Sequence, residues 1–377
     1  MLFREVIGQE SVKKRLIQSV FDNRVSHAQL FLGGEGCGKL ALAIAYAQYI
    51  SCENKTSDDS CGICSSCIKY NKLAHPDLHF VFPVNTNKEI TKDPISDNFI
   101  TSWRETLNKT PYISLDQWYE IIGIENKQGV ISAKESNEIM KKLNLMTYES
   151  EYKIMIIWMP EKMNPSASNK MLKILEEPPG KTLFLLVSEN QDQLLPTILS
   201  RTQLVKILRI PDAELAKALN DKHNISHELA SKISFLSEGN YIEALKLLNQ
   251  AEEENYYSVT FIQWMRLCFA AKMIETLDWV ENVSAIGRER QKNFLNYALQ
   301  MVRESLLMNY ADKSLVKLNG EELDFLVKFS PYIHGGNCIS LSEELNTAYF
   351  HIERNANPKI LFLDLSIRVM KLLKVKA

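Results

Sequence analysis

No apolar run in the chain approaches the ~18 residues that a membrane-spanning helix needs, so no span is expected. The first ten residues, MLFREVIGQE, carry charges early and lack an apolar h-region. A signal peptide is therefore not expected, and the cytoplasm is the default location. Excess charge is missing as well: 44 Lys and Arg face 46 Asp and Glu, for a net charge of −2. Without a global field, any contact with nucleic acid has to come from a local patch. There is no internal repeat and no low-complexity segment, which excludes a repeat array. What remains is an ordinary globular composition, 45% apolar and 24% charged over 377 residues, enough for two or three domains.

Short apolar runs are present and well spaced. AQLFL (28–32), DLHFVFPV (77–84), KIMIIW (153–158), TLFLLVS (182–188) and QLVKIL (203–208) read as strands. KIMIIW is a continuous apolar run after its lysine, as expected of a strand buried on both faces. Helical periodicity fills 9–23 and 39–50. Ser132 and Glu135 form a capping-box signature that opens a helix through Leu145. Another helix runs over 164–177 and stops at Pro178-Pro179-Gly180. Strands alternating with helices predict a parallel α/β sheet. Residues 83–130 interrupt the rhythm with polar text and then aromatic helical text, and are expected to pack on the sheet edge. After Pro211 the strand candidates run out. Helices near 212–221, 226–237 and 241–250 suggest a small helical domain, and 251–377 read as long amphipathic helices.

The chain has seven cysteines, four of them at Cys52, Cys61, Cys64 and Cys67. Outside an oxidising compartment, such a cluster reads as a metal site rather than a disulfide framework. Four soft thiolates with no open position describe structural Zn²⁺. Free buried thiols are the alternative. His75 and His79 lie close in sequence, but four cysteines already fill a tetrahedron, which leaves the histidines to surface or core packing. Cys37, Cys268 and Cys338 read as small apolar residues.

The stretch FLGGEGCGKL puts Gly33, Gly38 and Lys39 at the spacing of a phosphate-binding loop, between a strand and a helix. Backbone amides of residues 34–39 and Lys39 are the groups that would cradle phosphates there. The next residue should offer a hydroxyl to Mg²⁺, and it is Leu40. KIMIIW should end in carboxylates, and it ends in Trp158-Met159, with Glu161 a few residues late. Hydrolysis is therefore not expected, and Lys39 is either a weak phosphate ligand or a remnant at a helix start.

The order of motifs resembles the clamp-loader branch of the AAA+ proteins of bacterial DNA polymerase III. The matching text is IGQESVKKRL, HAQLFLGGEGCGK, the cysteine module followed by HPDLHFV, SASNKMLKILEEPPGKTLFLLVSEN, LLPTILSRTQ and NANPKILFLDLSIRVM. The resemblance implies a RecA-like AAA+ parallel-sheet domain carrying the zinc module (1–210), a small helical lid (211–250) and a C-terminal helical collar domain (251–377). It implies a hetero-oligomeric ring with tau/gamma motor subunits and delta, a sliding clamp, and primer-template DNA reached through the assembled ring. Ser200-Arg201-Thr202 matches the family's serine-arginine-cysteine motif, with Thr202 departing from it. Arg201 would then act in trans as an arginine finger on a neighbour's ATP. In the family's lid motif an arginine is expected where Ile242 stands, a third loss. Ser188 falls at a sensor position, where it either bonds a phosphate or water or caps the turn. Lys170 and Lys173 are DNA-facing candidates by the same resemblance, or else solvated charges. A motor subunit and a stand-alone P-loop ATPase are the competing readings, and Leu40 and Trp158-Met159 argue against both. A zinc-dependent DNA-binding module is a third, and the non-basic text around the cysteines argues against it.

Overall fold

The computed structural model describes residues 1–124, 127–310 and 320–375. Two compact units result, Met1–Leu248 and Asn249–Ala377. The strands of the first are β1 (Ala28–Leu32), β2 (Leu78–Val81), β3 (Lys153–Trp158), β4 (Thr182–Ser188) and β5 (Gln203–Lys206). Its helices begin with α1 (Glu10–Phe21), α2 (Lys39–Ser51) and α3 (Ser65–Asn71). They continue with α4 (Ile100–Lys109), α5 (Leu115–Ile121), α6 (Ala133–Asn144), α7 (Pro165–Glu176) and α8 (Pro196–Leu199). α9 (Asp212–His223) and α10 (His227–Leu236) follow, and then α11 (Tyr241–Ala270), which contains the boundary between the units. Among the described residues no helix is long and apolar enough to cross a membrane.

The five strands are all parallel in the order β2-β3-β4-β1-β5. That is the RecA-like AAA+ arrangement. β3 and β4 are central and buried at every position, as their unbroken apolar sequences require. Successive side chains alternate between two cores. Ile154, Ile156 and Trp158 join Leu183, Leu185 and Val187 in one. Met155 and Ile157 join Phe184 and Leu186 in the other, under α6 and α7. Glycine loop and β4 terminus therefore share the carboxyl edge of the sheet, where open α/β sheets bind ligands.

Several expectations change. α11 does not end near 250 but runs to Ala270. β2 and β5 stop at Val81 and Lys206, short of the apolar text that suggested longer strands. The Ser132 hydroxyl does accept from the Glu135 amide, but the Glu135 carboxylate turns away and accepts from the Ser96 amide at 2.7 Å. Half of the capping box is thus spent on joining 83–130 to α6.

The 83–130 segment also exceeds its expected place on the sheet edge. Its Trp103 and Trp118 are fully buried in the main core. Trp103 stacks on Phe82 at 4.3 Å and leans on Trp158 at 5.1 Å, and Trp118 meets both Trp103 and Phe82 edge-on. Aromatic rings of this size contribute large buried areas, which their polar neighbours in 85–98 conceal in the sequence.

The second unit comprises the rest of α11 with α12 (Met273–Ser284), α13 (Arg288–Tyr310), α14 (Gly320–Phe329), α15 (Cys338–Glu353) and α16 (Pro358–Leu372). Its core centres on Trp264 and Trp279, stacked at 5.1 Å, with Phe294 and Phe362 around them. Each indole N–H is satisfied, Trp264 donating to Ser366 Oγ and Trp279 to the Thr260 carbonyl.

Two measurements test this packing. Trp103→Ala should lower the urea-unfolding free energy by about 3–5 kcal/mol, the usual cost of emptying a buried aromatic site. A loss below about 1 kcal/mol, typical of a surface position, would return 83–130 to the periphery. Burial pushes the Glu135 carboxyl up to about 7, against the Ser96 amide and Lys142. Below that pH the folded chain keeps a proton that the unfolded chain has released. Stability should therefore fall as pH rises from about 5 to 7, and Glu135→Gln should flatten that slope. An unchanged slope in the variant would remove Glu135 as its source.

Candidate functional site

Residues 33–38 connect β1 to α2, and Lys39 begins the helix. The lysine of the loop is engaged by the chain itself. The Lys39 ammonium is buried, donating to the Gly34 carbonyl at 2.9 Å and to Glu189 Oε1 at 2.8 Å. Gly36 has φ of +68°, and a Cβ built on it would lie 1.8 Å from Asn240 Oδ1. Gly38 has φ of +87°, and its Cβ would meet the Tyr112 ring at 3.1 Å. Both positions need glycine for their backbone conformation and for close approach. The approaching groups are protein side chains.

Two of the loop's carbonyls accept from elsewhere in the first unit. Gly36 accepts from the Tyr241 amide at 3.2 Å and Cys37 from Gln9 Nε2 at 3.2 Å, while the Asn240 amide group donates to Glu35. The start of α11 is thereby fastened to the phosphate loop, and Gln9, just before α1, also bonds it.

Leu40 and Ile242 are buried apolar residues. Trp158 ends β3 inside the aromatic core, and Met159 follows with a positive φ of 56°. Glu161 turns back and accepts from the Glu189 amide at 2.9 Å. The Ser188 hydroxyl, fully buried, donates to the Asn190 carbonyl, while its own carbonyl accepts from the Gly33 amide. It is engaged as a turn cap.

Arg201 follows α8 at Ser200 and points outward, its side chain about one-third exposed. Its guanidinium donates to the Thr197 carbonyl, the Ser200 hydroxyl and the Glu176 carboxylate. Glu176 closes α7 within the LKILEEPP text, so the two quoted motifs meet in space. Lys170 is half-buried and donates to Ala133 and Asn137 Oδ1, whereas Lys173 is exposed on the last turn of α7.

The cysteine cluster lies at the C-terminus of α2 and the N-terminus of α3. The four Sγ atoms of Cys52, Cys61, Cys64 and Cys67 all lie within 4.8 Å of one another and can hold one metal ion. Backbone amides already point at the sulfurs: Cys61 N–H to Cys52, Cys64 N–H to Cys61 and Cys67 N–H to Cys64. The Ile63 amide draws the Cys61 thiol down to about 6, favouring thiolate. His75 is buried against the Tyr70 ring and stands outside the donor set.

Residues 8–211, more than half of the chain, match the family model for the DNA polymerase III delta subunit. The chain belongs to that family. It is 28% identical over 254 residues to DNA polymerase III subunit tau of Bacillus subtilis, covering 66% of this chain and 37% of tau. It is 28% identical over 247 residues to subunit delta' of the same bacterium, covering 65% of this chain and 60% of that protein. With subunit delta' of Pseudomonas aeruginosa the identity is 27% over 234 residues, covering 61% and 58%. The chain thus spans between 37% and 60% of the length of these three relatives.

The delta-family match takes in the phosphate loop, the cysteine cluster, the 83–130 segment and Arg201, and ends at the start of α9. Within it, four partners escaped sequence reasoning: Tyr112, Glu176, Glu189 and Gln9. Glu176 and Glu189 sit inside the quoted motifs LKILEEPP and LLVSEN, so their proximity to Arg201 and to the loop was the available signal. Tyr112 had none, because it bonds the Ile7 amide across 105 positions.

Proposed function

We propose that this chain is a non-hydrolysing delta-prime-type subunit of the bacterial DNA polymerase III clamp loader. It would assemble in the cytoplasm with tau/gamma motor subunits and delta to load a sliding clamp onto primer-template DNA. One contrast carries the reading. Leu40, Trp158, Met159 and Ile242, the positions hydrolysis needs in polar form, are all buried apolar residues, while Arg201 is held at the surface. A planar, permanently charged fork at the surface is suited to phosphoryl oxygens presented by another subunit. The Glu176 carboxylate keeps that fork charge-paired until a phosphate replaces it. Lys173, exposed on α7, and Lys170 beside it would add sequence-independent contacts to the DNA backbone.

The likeness to tau favours a second reading, a motor subunit. That reading requires Mg²⁺-dependent turnover by the isolated chain, and Leu40 has no oxygen to give Mg²⁺.

The finger is tested in a ring reconstituted with motor subunits and delta. Arginine fingers are worth on the order of 10³-fold or more at the site they serve. Arg201→Ala should leave assembly intact and lower DNA-stimulated ATP turnover, and Arg201→Lys should not restore it. Unchanged turnover in an assembled Arg201→Ala ring would contradict the role.

The cysteine cluster would hold a structural Zn²⁺, tying α2 to α3 and supplying no reaction chemistry. Elemental analysis of the reduced, folded chain should give about one Zn²⁺ for the four thiolates. Cys64→Ser should lower both metal content and melting temperature. A folded, reduced chain without metal would refute the site.

A further inference from the structure

β5 is the last strand on its side of the sheet, with β1 on one flank and no strand on the other among the described residues. Residues of a parallel strand bond alternately to the two flanks. Ile207, just past β5, donates to the Leu32 carbonyl at 2.8 Å, so Val205 and Ile207 turn their backbone groups to β1. The amides of Leu204, Lys206 and Leu208 and the carbonyls of Leu204 and Lys206 are left on the open flank, without a hydrogen-bond partner among the described residues. Beyond them the edge closes, where the Leu208 carbonyl accepts from Gln9 and Ile210 donates to the Gly239 carbonyl. Side chains alternate in the same way. Val205 and Ile207 are buried in the main core, while Leu204, Lys206 and Leu208 are exposed, the leucines by 50% and 63%. Natural sheet edges are usually guarded by charge. Here a single lysine stands between two apolar side chains. Arg209, further along, is paired with Glu238, and Lys206 makes no ion pair among the described residues. A cavity of about 540 Å³ beside the edge is lined by Leu204, Lys206 and Leu208. It shares Arg209 with a second, of about 550 Å³, that reaches the exposed Phe235 and Leu236 of α10.

We propose that the open flank of β5 binds an extended segment of a partner protein, which adds a sixth strand to the five-stranded sheet. The free backbone groups of Leu204, Lys206 and Leu208 supply the attachment, and only an extended backbone matches their spacing. The exposed face sets the segment's chemistry. Leu204, Lys206 and Leu208 recur at every second position, so the segment carries apolar, acidic and apolar side chains at alternate positions. A large apolar residue beyond these would reach Phe235. A second copy of this chain is the poorer occupant. The antiparallel register that sets leucine against leucine also sets Lys206 against Lys206, and like charges directly opposite are destabilising. The inference goes beyond the clamp-loader reading and needs neither the ATP-site role of Arg201 nor the cysteine cluster.

The test titrates the full, reduced chain into a fluorescein-labelled heptapeptide and reads fluorescence anisotropy. The peptide has threonine at its odd positions and valine, glutamate and valine at its even ones. Saturable binding is expected. Lysine in place of the peptide's glutamate should weaken it about two- to fivefold, the worth of one cross-strand charge pair. Lys206→Glu should reverse that preference. An added strand meets β5 along one flank only, so N-methylation of alternate peptide amides should split. One set should lose affinity by at least about fivefold, as backbone hydrogen bonds are lost, and the other should bind as before. Peptide should slow hydrogen exchange at the Leu204, Lys206 and Leu208 amides and leave Val205 and Ile207 unchanged. Leu204→Lys with Leu208→Lys, both at exposed positions, should weaken binding without lowering the melting temperature. No saturable binding would overturn the proposal, as would equal effects of the two N-methylated sets or a charge preference that Lys206→Glu does not reverse. A dimer of the unaltered chain in sedimentation, lost in the double-lysine variant, would assign the edge to a second copy and overturn it as well.

Discussion

Trp103 rests on Trp158 and stacks on Phe82, and this aromatic contact fixes the 83–130 segment to the carboxyl edge of the sheet. Much of the first unit follows from it. Trp158 stands where a hydrolytic site would carry a carboxylate, and an ionised group there would be buried among indole rings, which is costly without a partner. Apolar packing and a catalytic acid cannot share the position. With α4 held in place, the link that follows it carries Tyr112 to Gly38 and Ile7. The aromatic packing at Trp158 and the placement of Tyr112 thus belong to one arrangement.

Electrostatics around the loop agree. Lys39, a cation positioned to meet phosphate, is paired with Glu189 in a nearly buried setting. Glu161 lies behind Glu189 and Glu35 lies in the loop itself. Three carboxylates and a charge-paired lysine thus lie around the loop. Arg201 has the opposite surroundings: about one-third exposed, just after a short helix, with one carboxylate partner. The chain keeps its P-loop lysine inward and its arginine outward.

The sheet was largely legible from sequence. β1, β3 and β4 coincide with the apolar runs that announced them, because a strand buried on both faces leaves an unbroken apolar record. The cysteine cluster was legible because its spacing is local. The 83–130 segment was not, because its buried rings are separated by polar turns and find their partners far along the chain. The same holds for Glu135, whose helix-capping signature is genuine on the backbone while its carboxylate serves Ser96 instead. The apolar character of Leu40, Trp158, Met159 and Ile242 is on the sequence, and their burial is a matter of the fold. The position of Tyr112 was not legible, since nothing local links position 112 to Ile7 or Gly38.

A cryo-EM map of the assembled ring with a non-hydrolysable ATP analogue tests the central claim most directly. The analogue should lie at the neighbouring subunit's site with the Arg201 guanidinium turned from Glu176 onto its terminal phosphate. Arg201 still paired with Glu176 and away from every nucleotide would contradict the finger.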